Sequence, residues 1–229
     1  MKWVIHEAAT LLPEWEDFDD SLSKYGHSYQ VYHQGEPIPD GDIVRCPVYD
    51  AIKYNDHRGM FCNLNELHAC HSYNVLNKYL GRAWIDVRME SLRLFPSWFM
   101  TTYFMDNKAF IKPAEFGKIG GAHVLEPKEI DYYINKYHIP DDTYMILAEV
   151  IDIDVEYRAI VINGKPITAS QYKYQGKMDE KILHPLIEED VLGYAQDILD
   201  DVKFVSDTFV LDVGLTESGF VVVEMNSFS

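Results

Sequence analysis

Apolar positions along the chain recur with a period of two in some stretches and near 3.6 in others, and their order predicts an α+β protein. Residues 3–6 read as a short strand, and residues 13–25 as an acidic amphipathic helix that stops at Gly26. Strands follow at 29–33 and around Ile43-Val44-Arg45-Cys46, separated by the turn cluster at 37–41. From 63 to 80, Leu64, Leu67, Val75, Leu76, Tyr79 and Leu80 keep helical spacing up to Gly81. Near residues 86–96 the pattern changes. A strand at 109–113 ends at Pro113, a glycine-containing loop covers 116–121, a helix covers 127–137 and a buried strand 145–150. Residues 156–162 and 165–173 flank Asn163-Gly164, a strong hairpin signal because both turn positions need positive φ. A long acidic helix at 184–200 precedes a second hairpin, 208–215 with 219–225.

The last hairpin carries the clearest chemistry. Glu224 and Asn226 lie two residues apart on a strand and share a face. With a loop at 217–219, Asp212 stands opposite Glu224 on that face. Phe220, Val222 and Val210 are expected on the same side, so the carboxylates are partly buried and need cations. Two carboxylates and an amide oxygen suit Mg²⁺, which takes a few such oxygens and completes its shell with phosphates and water. In the middle hairpin a two-residue turn pairs Arg158 with Ala169 and Glu156 with Gln171. Glu156, Arg158, Gln171 and Lys173 then share one face, where the two cations can hold phosphate oxygens or form a solvated salt-bridged surface. Lys112 ends an apolar strand and points either to solvent or into a cleft. Lys118, Gly120 and Gly121 belong to the loop that follows, whose backbone N–H groups can cover a phosphate.

Composition narrows the function. Of 229 residues, 47% are hydrophobic, enough for one large domain or two small ones, and the formal net charge is −17. An acidic surface disfavours general nucleic-acid binding. Three cysteines, Cys46, Cys62 and Cys70, argue against a disulfide framework, and Cys62, His68, Cys70 and His71 match no common zinc spacing. No signal-peptide pattern and no apolar run of spanning length is present, so the expectation is a cytoplasmic protein without membrane contact. The aromatic group Trp98, Phe99, Tyr103 and Phe104 reads as core or lobe-packing surface.

In order, these pieces are Phe110-Ile-Lys112-Pro113, a small glycine loop, Ala148-Glu149-Val150, Glu156-Tyr-Arg158 with Asn163-Gly164, Gln171-Tyr-Lys173, Asp212-Val-Gly214 and Glu224-Met-Asn226. Together they resemble the ATP-grasp superfamily, and within it the R2K clade of bacteriophage and bacterial proteins, in which a stretch like Val44-Arg45-Cys46-Pro47 precedes the grasp domain. The resemblance implies a small α/β N-terminal domain at 1–90 and an ATP-grasp domain at 91–229, with lobes of about 91–148 and 149–229 clamping the nucleotide. It implies that Lys112, Lys118, Gly120, Gly121, Glu149, Val150 and Glu156 bind ATP. Arg158 and Lys173 are implied as catalytic at the triphosphate or an acyl phosphate, and Asp212, Glu224 and Asn226 as ligands of Mg²⁺. The implied activity is an ATP- and Mg²⁺-dependent ligase that joins a small-molecule or peptide carboxylate to an amine through an acyl phosphate. A homodimer is compatible with it. The alternatives are a nucleotide-binding or acidic protein-interaction module without ligase activity, and an ATP-grasp-like phosphotransferase. Related sequences continue past the Asn with small residues that often serve the acceptor site, whereas here three residues follow Asn226.

Overall fold

The computed structural model describes residues 2–12, 15–41, 43–46, 68–104, 107–114, 120–204 and 208–226. Three sheets are present among them. The first is parallel, in the order β2-β1-β3, from β1 (Lys2–His6), β2 (Ser28–Tyr32) and β3 (Ile43–Arg45), with α1 (Trp15–Lys24) beside it. Its parallel strands need crossovers, which is why a helix separates β1 from β2. Trp3, Ile5 and Leu22 form one small core, and Val4, Tyr32 and Val44 another.

The second sheet is antiparallel, in the order β4-β7-β5-β6, from β4 (Trp84–Arg88), β5 (Ala109–Pro113), β6 (His123–Leu125) and β7 (Tyr144–Ala148). The expected division at 90/91 therefore falls after the first strand of this sheet. Two helices that the sequence pattern did not reveal, α3 (Met89–Leu94) and α4 (Pro96–Tyr103), stand between β4 and β5. Pro96 at the first turn of α4 is the start signal that the aromatic run around it obscured. Met89, Leu92 and Met100 pack with Ile111, Met145 and Leu147 and with Ile130 and Ile134 of α5 (Ile130–Tyr137). Phe104 is buried, while Trp98 and Tyr103 stand exposed. The helix expected at 63–80 is shorter where it is described: α2 (Ala69–Val75) breaks at Leu76 into a 3-10 turn, where Asn77 Oδ1 accepts the Trp84 indole N–H at 2.9 Å.

The third sheet, β10-β9-β8-β11-β12, is antiparallel and carries the candidate site. Its strands are β8 (Val155–Ile162), β9 (Lys165–Tyr174), β10 (Lys177–Ile182), β11 (Phe209–Thr216) and β12 (Gly219–Asn226). Strict alternation on β8 sends Tyr157, Ala159 and Val161 to a core shared with Val191, Ala195 and Ile198 of α6 (Pro185–Asp201). Glu156 and Arg158 thus face the other way. Asn163 and Gly164 do take positive φ, 53° and 68°. The strand β10 was not anticipated; it follows a Gln175-Gly176 turn with φ of 46° and 74°, a weaker signal than Asn-Gly.

Two register expectations are corrected. In β8–β9, Ile167 and Tyr172 are each an extra residue, so Arg158 pairs with Ser170, Glu156 with Lys173 and Gln171 with Tyr157. In β11–β12, the turn holds only residues 217 and 218, since Thr216 pairs with Gly219. A bulge at Val223 then restores the pairing of Asp212 with Glu224. The bulge also shifts the alternation: Val222, with Phe220 against it, joins Met225 in the core instead of lying beside Glu224. No helix among the described residues is long and apolar enough to cross a membrane.

Candidate functional site

Three neighbouring strands of the third sheet and one strand of the second bring five charged or amide side chains together. Arg158 on β8 lies directly across from Asp212 on β11, and its Nε and Nη2 donate to Asp212 Oδ1 and Oδ2, both at 2.9 Å. This planar fork on a carboxylate is the strongest geometry such a pair adopts. Asp212 is only 1% exposed. From β12, the Asn226 amide donates to Asp212 Oδ2 and to Glu224 Oε1, each at 3.0 Å. From β5, Lys112 Nζ donates to Glu224 Oε2 at 2.9 Å. Lys112 is thus aimed at the third sheet and not at solvent.

Glu156 and Lys173 form the adjoining pair, Nζ to Oε2 at 2.8 Å. The extra residue Tyr172 places its ring against both cations, 3.9 Å from the Arg158 guanidinium carbon and 4.9 Å from Lys173 Nζ. Its ring face complements their charge. No apolar or polar period in the sequence marks Tyr172, because a bulge belongs to neither face.

The two carboxyl groups are shifted in opposite directions. Burial pushes Glu224 up, but the charge and hydrogen bond of Lys112, the Asn226 amide and the field of Lys173 outweigh it and hold the carboxyl at about 2. For Asp212 burial wins: Arg158 pulls the carboxyl down, Glu224 and Glu156 push it up, and it ends above the ordinary value. Burial pulls the Lys112 ammonium down, yet Glu224 and Tyr73 together raise it by more. Asp212 is therefore an acid whose burial outweighs even a bidentate arginine.

The chemistry of this donor set fits a divalent ion. Asp212 Oδ2 and Glu224 Oε1 both lie 3.0 Å from one amide nitrogen, so two acidic oxygens converge on a point now served by N–H donors. Rotating the amide by half a turn exchanges its nitrogen and oxygen and presents a third oxygen there. Among the described residues no three His, Cys, Asp or Glu side chains group as a metal site, so an ion here rests on two carboxylates, one amide and ligand oxygens. Burial and Asp86 push the Cys70 thiol up to about 11, and Cys62 lies outside the described residues.

The remaining expected residues stand apart from this cluster. Glu149 extends the β4–β7 ladder by one residue at the end where the chain leaves the second sheet: its Oε2 accepts the Ala83 N–H at 2.8 Å, and its own N–H donates to Ala83 O at 2.9 Å. Val150 follows it in the connection to β8. Gly120 and Gly121 have φ of 85° and 60° and are pinned by His123 Nε2 against Gly120 O and by Tyr133 Oη donating to Gly121 O. A Cβ on Gly120 would lie 2.8 Å from Tyr133 Oη, so the position needs glycine. Lys118 lies outside the described residues. A cavity of about 710 Å³ opens at the far end of the last hairpin, between residues 151–154 and 216–218, and touches none of the clustered side chains.

Two sheets meet over a lysine, a bidentate arginine and an Asp/Glu/Asn trio, and solved structures share the fold that holds them. The chain is similar to a D-cycloserine synthetase, DcsG, over 99% of its own length and 91% of that chain (TM-score 0.67, 12% identity). It is similar to the D-alanine–D-alanine ligase of Bacillus anthracis over 99% and 86% (TM-score 0.64, 13% identity). The ATP-grasp ligase PsnB, solved with precursor peptide PsnA2 and AMPPNP, matches over 98% and 87% (TM-score 0.56, 12% identity). No curated protein sequence gives a significant match. A family model settles membership: residues 79–228 match the ATP-grasp domain, R2K clade family 2, and the chain belongs to that family.

Proposed function

We propose that the protein is an ATP- and Mg²⁺-dependent ligase that joins a carboxylate to an amine and releases ADP and phosphate. The observation that carries this reading is the continuous network from Lys112 through Glu224, Asn226 and Asp212 to Arg158. In it a lysine of one lobe faces two carboxylates and an amide on the other. Asp212, Glu224 and Asn226 would hold Mg²⁺, which supplies counter-charge to the triphosphate.

The rest follows from the side chains. Lys112 is a point charge that can exchange Glu224 for phosphate oxygens, and Arg158 and Lys173 present further cations one strand away. In the first step an oxygen of the substrate carboxylate attacks the γ-phosphorus and the bond to the β,γ-bridging oxygen breaks, with its electron pair leaving on ADP. In the second the amine nitrogen attacks the acyl carbon, phosphate departs and the nitrogen loses a proton. Both steps place negative charge on oxygens, and fixed cations stabilise it without reorganising. The substrates of the ligases with this fold include small amino acids and a peptide, so both belong to the search.

The test is mass spectrometry of products from Mg-ATP with pooled carboxylates, amines and peptides. ADP, phosphate and a new amide, all lost in Asp212→Asn and Glu224→Gln, are expected. AMP with pyrophosphate, or a stable phosphorylated hydroxyl, refutes the ligase chemistry. Nucleotide binding that is indifferent to EDTA and to both substitutions refutes the metal assignment.

A further inference from the structure

Tyr172 has no partner in the β8–β9 ladder. Lys173 pairs with Glu156 and Gln171 with Tyr157, so Tyr172 is the extra residue between them. Regular alternation would send Tyr172 and Lys173 to opposite faces of the sheet. The bulge turns both toward the face that carries Glu156, Arg158 and Asp212. A bulge forfeits ladder pairing, and this one falls beside the two cations of the third sheet's cluster. Its product is a single aromatic ring against both of them, 3.9 Å from the Arg158 guanidinium carbon and 4.9 Å from Lys173 Nζ.

The ring completes a constraint that hydrogen bonds alone leave open. Asp212 holds the Arg158 guanidinium edge-on through Nε and Nη2, both at 2.9 Å. Two such bonds fix that edge but still let the plane tilt about it. A ring on the guanidinium face opposes the tilt. The edge bearing Nη1 takes no part in the Asp212 pair, and the Arg158 side chain is 35% exposed, so this edge is the one a ligand can meet. Lys173 is a flexible point charge, held by one bond of 2.8 Å to Glu156 and by the same ring. A carboxylate in place of Tyr172 would also hold the two cations, but it would cancel their charge. The ring attracts them through its quadrupole and has no net charge of its own, so their field toward an anion survives.

We propose that Tyr172 is a positioning residue of the ligase, whose ring fixes the direction of Arg158 and Lys173 toward the transferring phosphoryl group without neutralising either. This inference rests on the ligase reading above. Charge that develops on phosphoryl oxygens is stabilised most by cations already oriented before the reaction, and a cation free to tilt must be ordered during it. Tyr172 acts through its two neighbours and touches no reacting atom.

The test is calorimetric titration of Mg-ADP, with and without aluminium fluoride as a stand-in for the transferring phosphoryl group, into the full chain and its Tyr172→Phe and Tyr172→Val variants. Nitrogen–proton spectra of the arginine side chains and the melting temperature of each free protein accompany it, with Arg158→Lys assigning the Arg158 Nε–H signal. Tyr172→Val is expected to keep Mg-ADP affinity within about twofold and to lose about tenfold of the tightening that aluminium fluoride brings. Its Arg158 Nε–H signal is expected to move as the ring is lost, with faster rotation of the guanidinium. Tyr172→Phe keeps the ring and is expected to match wild type in both readouts. Tyr172→Leu carries the test where Tyr172→Val does not fold. A ring-less variant that keeps the full aluminium fluoride effect, or that weakens Mg-ADP by the same factor, overturns the positioning role. An Arg158 signal indifferent to loss of the ring overturns it as well. A wild-type chain that binds Mg-ADP but gains nothing from aluminium fluoride overturns the ligase reading instead, while the arginine spectra, which need no nucleotide, still decide whether Tyr172 fixes Arg158.

Discussion

Asp212 and Glu224 face each other across one hairpin, yet they are held in different ways. Asp212 is gripped within its own sheet by Arg158 on the next strand, through two parallel bonds, and only 1% of its side chain is exposed. Glu224 is held from the other sheet by Lys112 through one bond, and 35% of its side chain is exposed. The first pair is part of the scaffold. The second ties two sheets and, on the proposed reading, can be traded for a ligand without disturbing a strand. A preorganised site needs both kinds, because the group that positions must not move and the group that receives must let go.

Breaking the in-sheet pair is expected to have the largest effect. Asp212→Ala leaves Arg158, 35% exposed, without its carboxylate and is expected to cost about 2–4 kcal/mol of stability, below the full buried-pair penalty because water reaches the arginine, read from denaturant unfolding. Lys112→Ala removes one charge-assisted bond in a wetter place and is expected to cost less, about 1.5–3 kcal/mol, while lowering ADP affinity more than tenfold. A larger stability loss from Lys112→Ala than from Asp212→Ala inverts the distinction. A third pair on the first sheet's surface sets the baseline. Glu7 Oε2 meets His33 Nδ1 at 2.7 Å, and each shifts the other, Glu7 downward and His33 upward. The histidine's contribution is complete below its ordinary value of 6.5 and fades as pH rises through the raised value; the glutamate's is complete above 4.5 and fades in acid. His33→Ala is therefore expected to lower the unfolding midpoint slightly at pH 5.5 and not at pH 9, the smallest effect of the three because the pair is solvated.

The three pairs were not equally legible in the sequence. The Asn163-Gly164 turn, the alternation on β8 and the small-residue stop of α1 at Gly26 follow from local chemistry, and the elements formed where that chemistry placed them. Bulges obey no such local rule. Val223 restored the pairing of Asp212 with Glu224 that a three-residue loop implied, so a correct partner came from an incorrect turn. In the other hairpin Ile167 and Tyr172 moved every later pair, which brought Lys173 onto Glu156. Each bulge answers to packing across the sheet, not to its neighbours in sequence. Arg82, whose Nη2 donates to the Tyr73 hydroxyl at 2.8 Å, was silent for another reason: its contacts are with Phe110 on β5 and Val223 on β12, and a lone arginine after an amphipathic helix does not stand out.

The bond between Lys112 and Glu224, which joins two sheets, has a thermodynamic consequence on the proposed reading. While the cleft is empty the two charges neutralise each other, so neither attracts a lone ion strongly. An anion that takes Lys112 strands Glu224, and a cation that takes Glu224 strands Lys112. Either one alone pays for a broken pair, whereas both together break it once. Nucleotide and metal are then positively linked on the proposed reading, each tightening the other by the same factor. The cleft would discriminate against unpaired polyanions through a contact that vanishes when the right pair arrives.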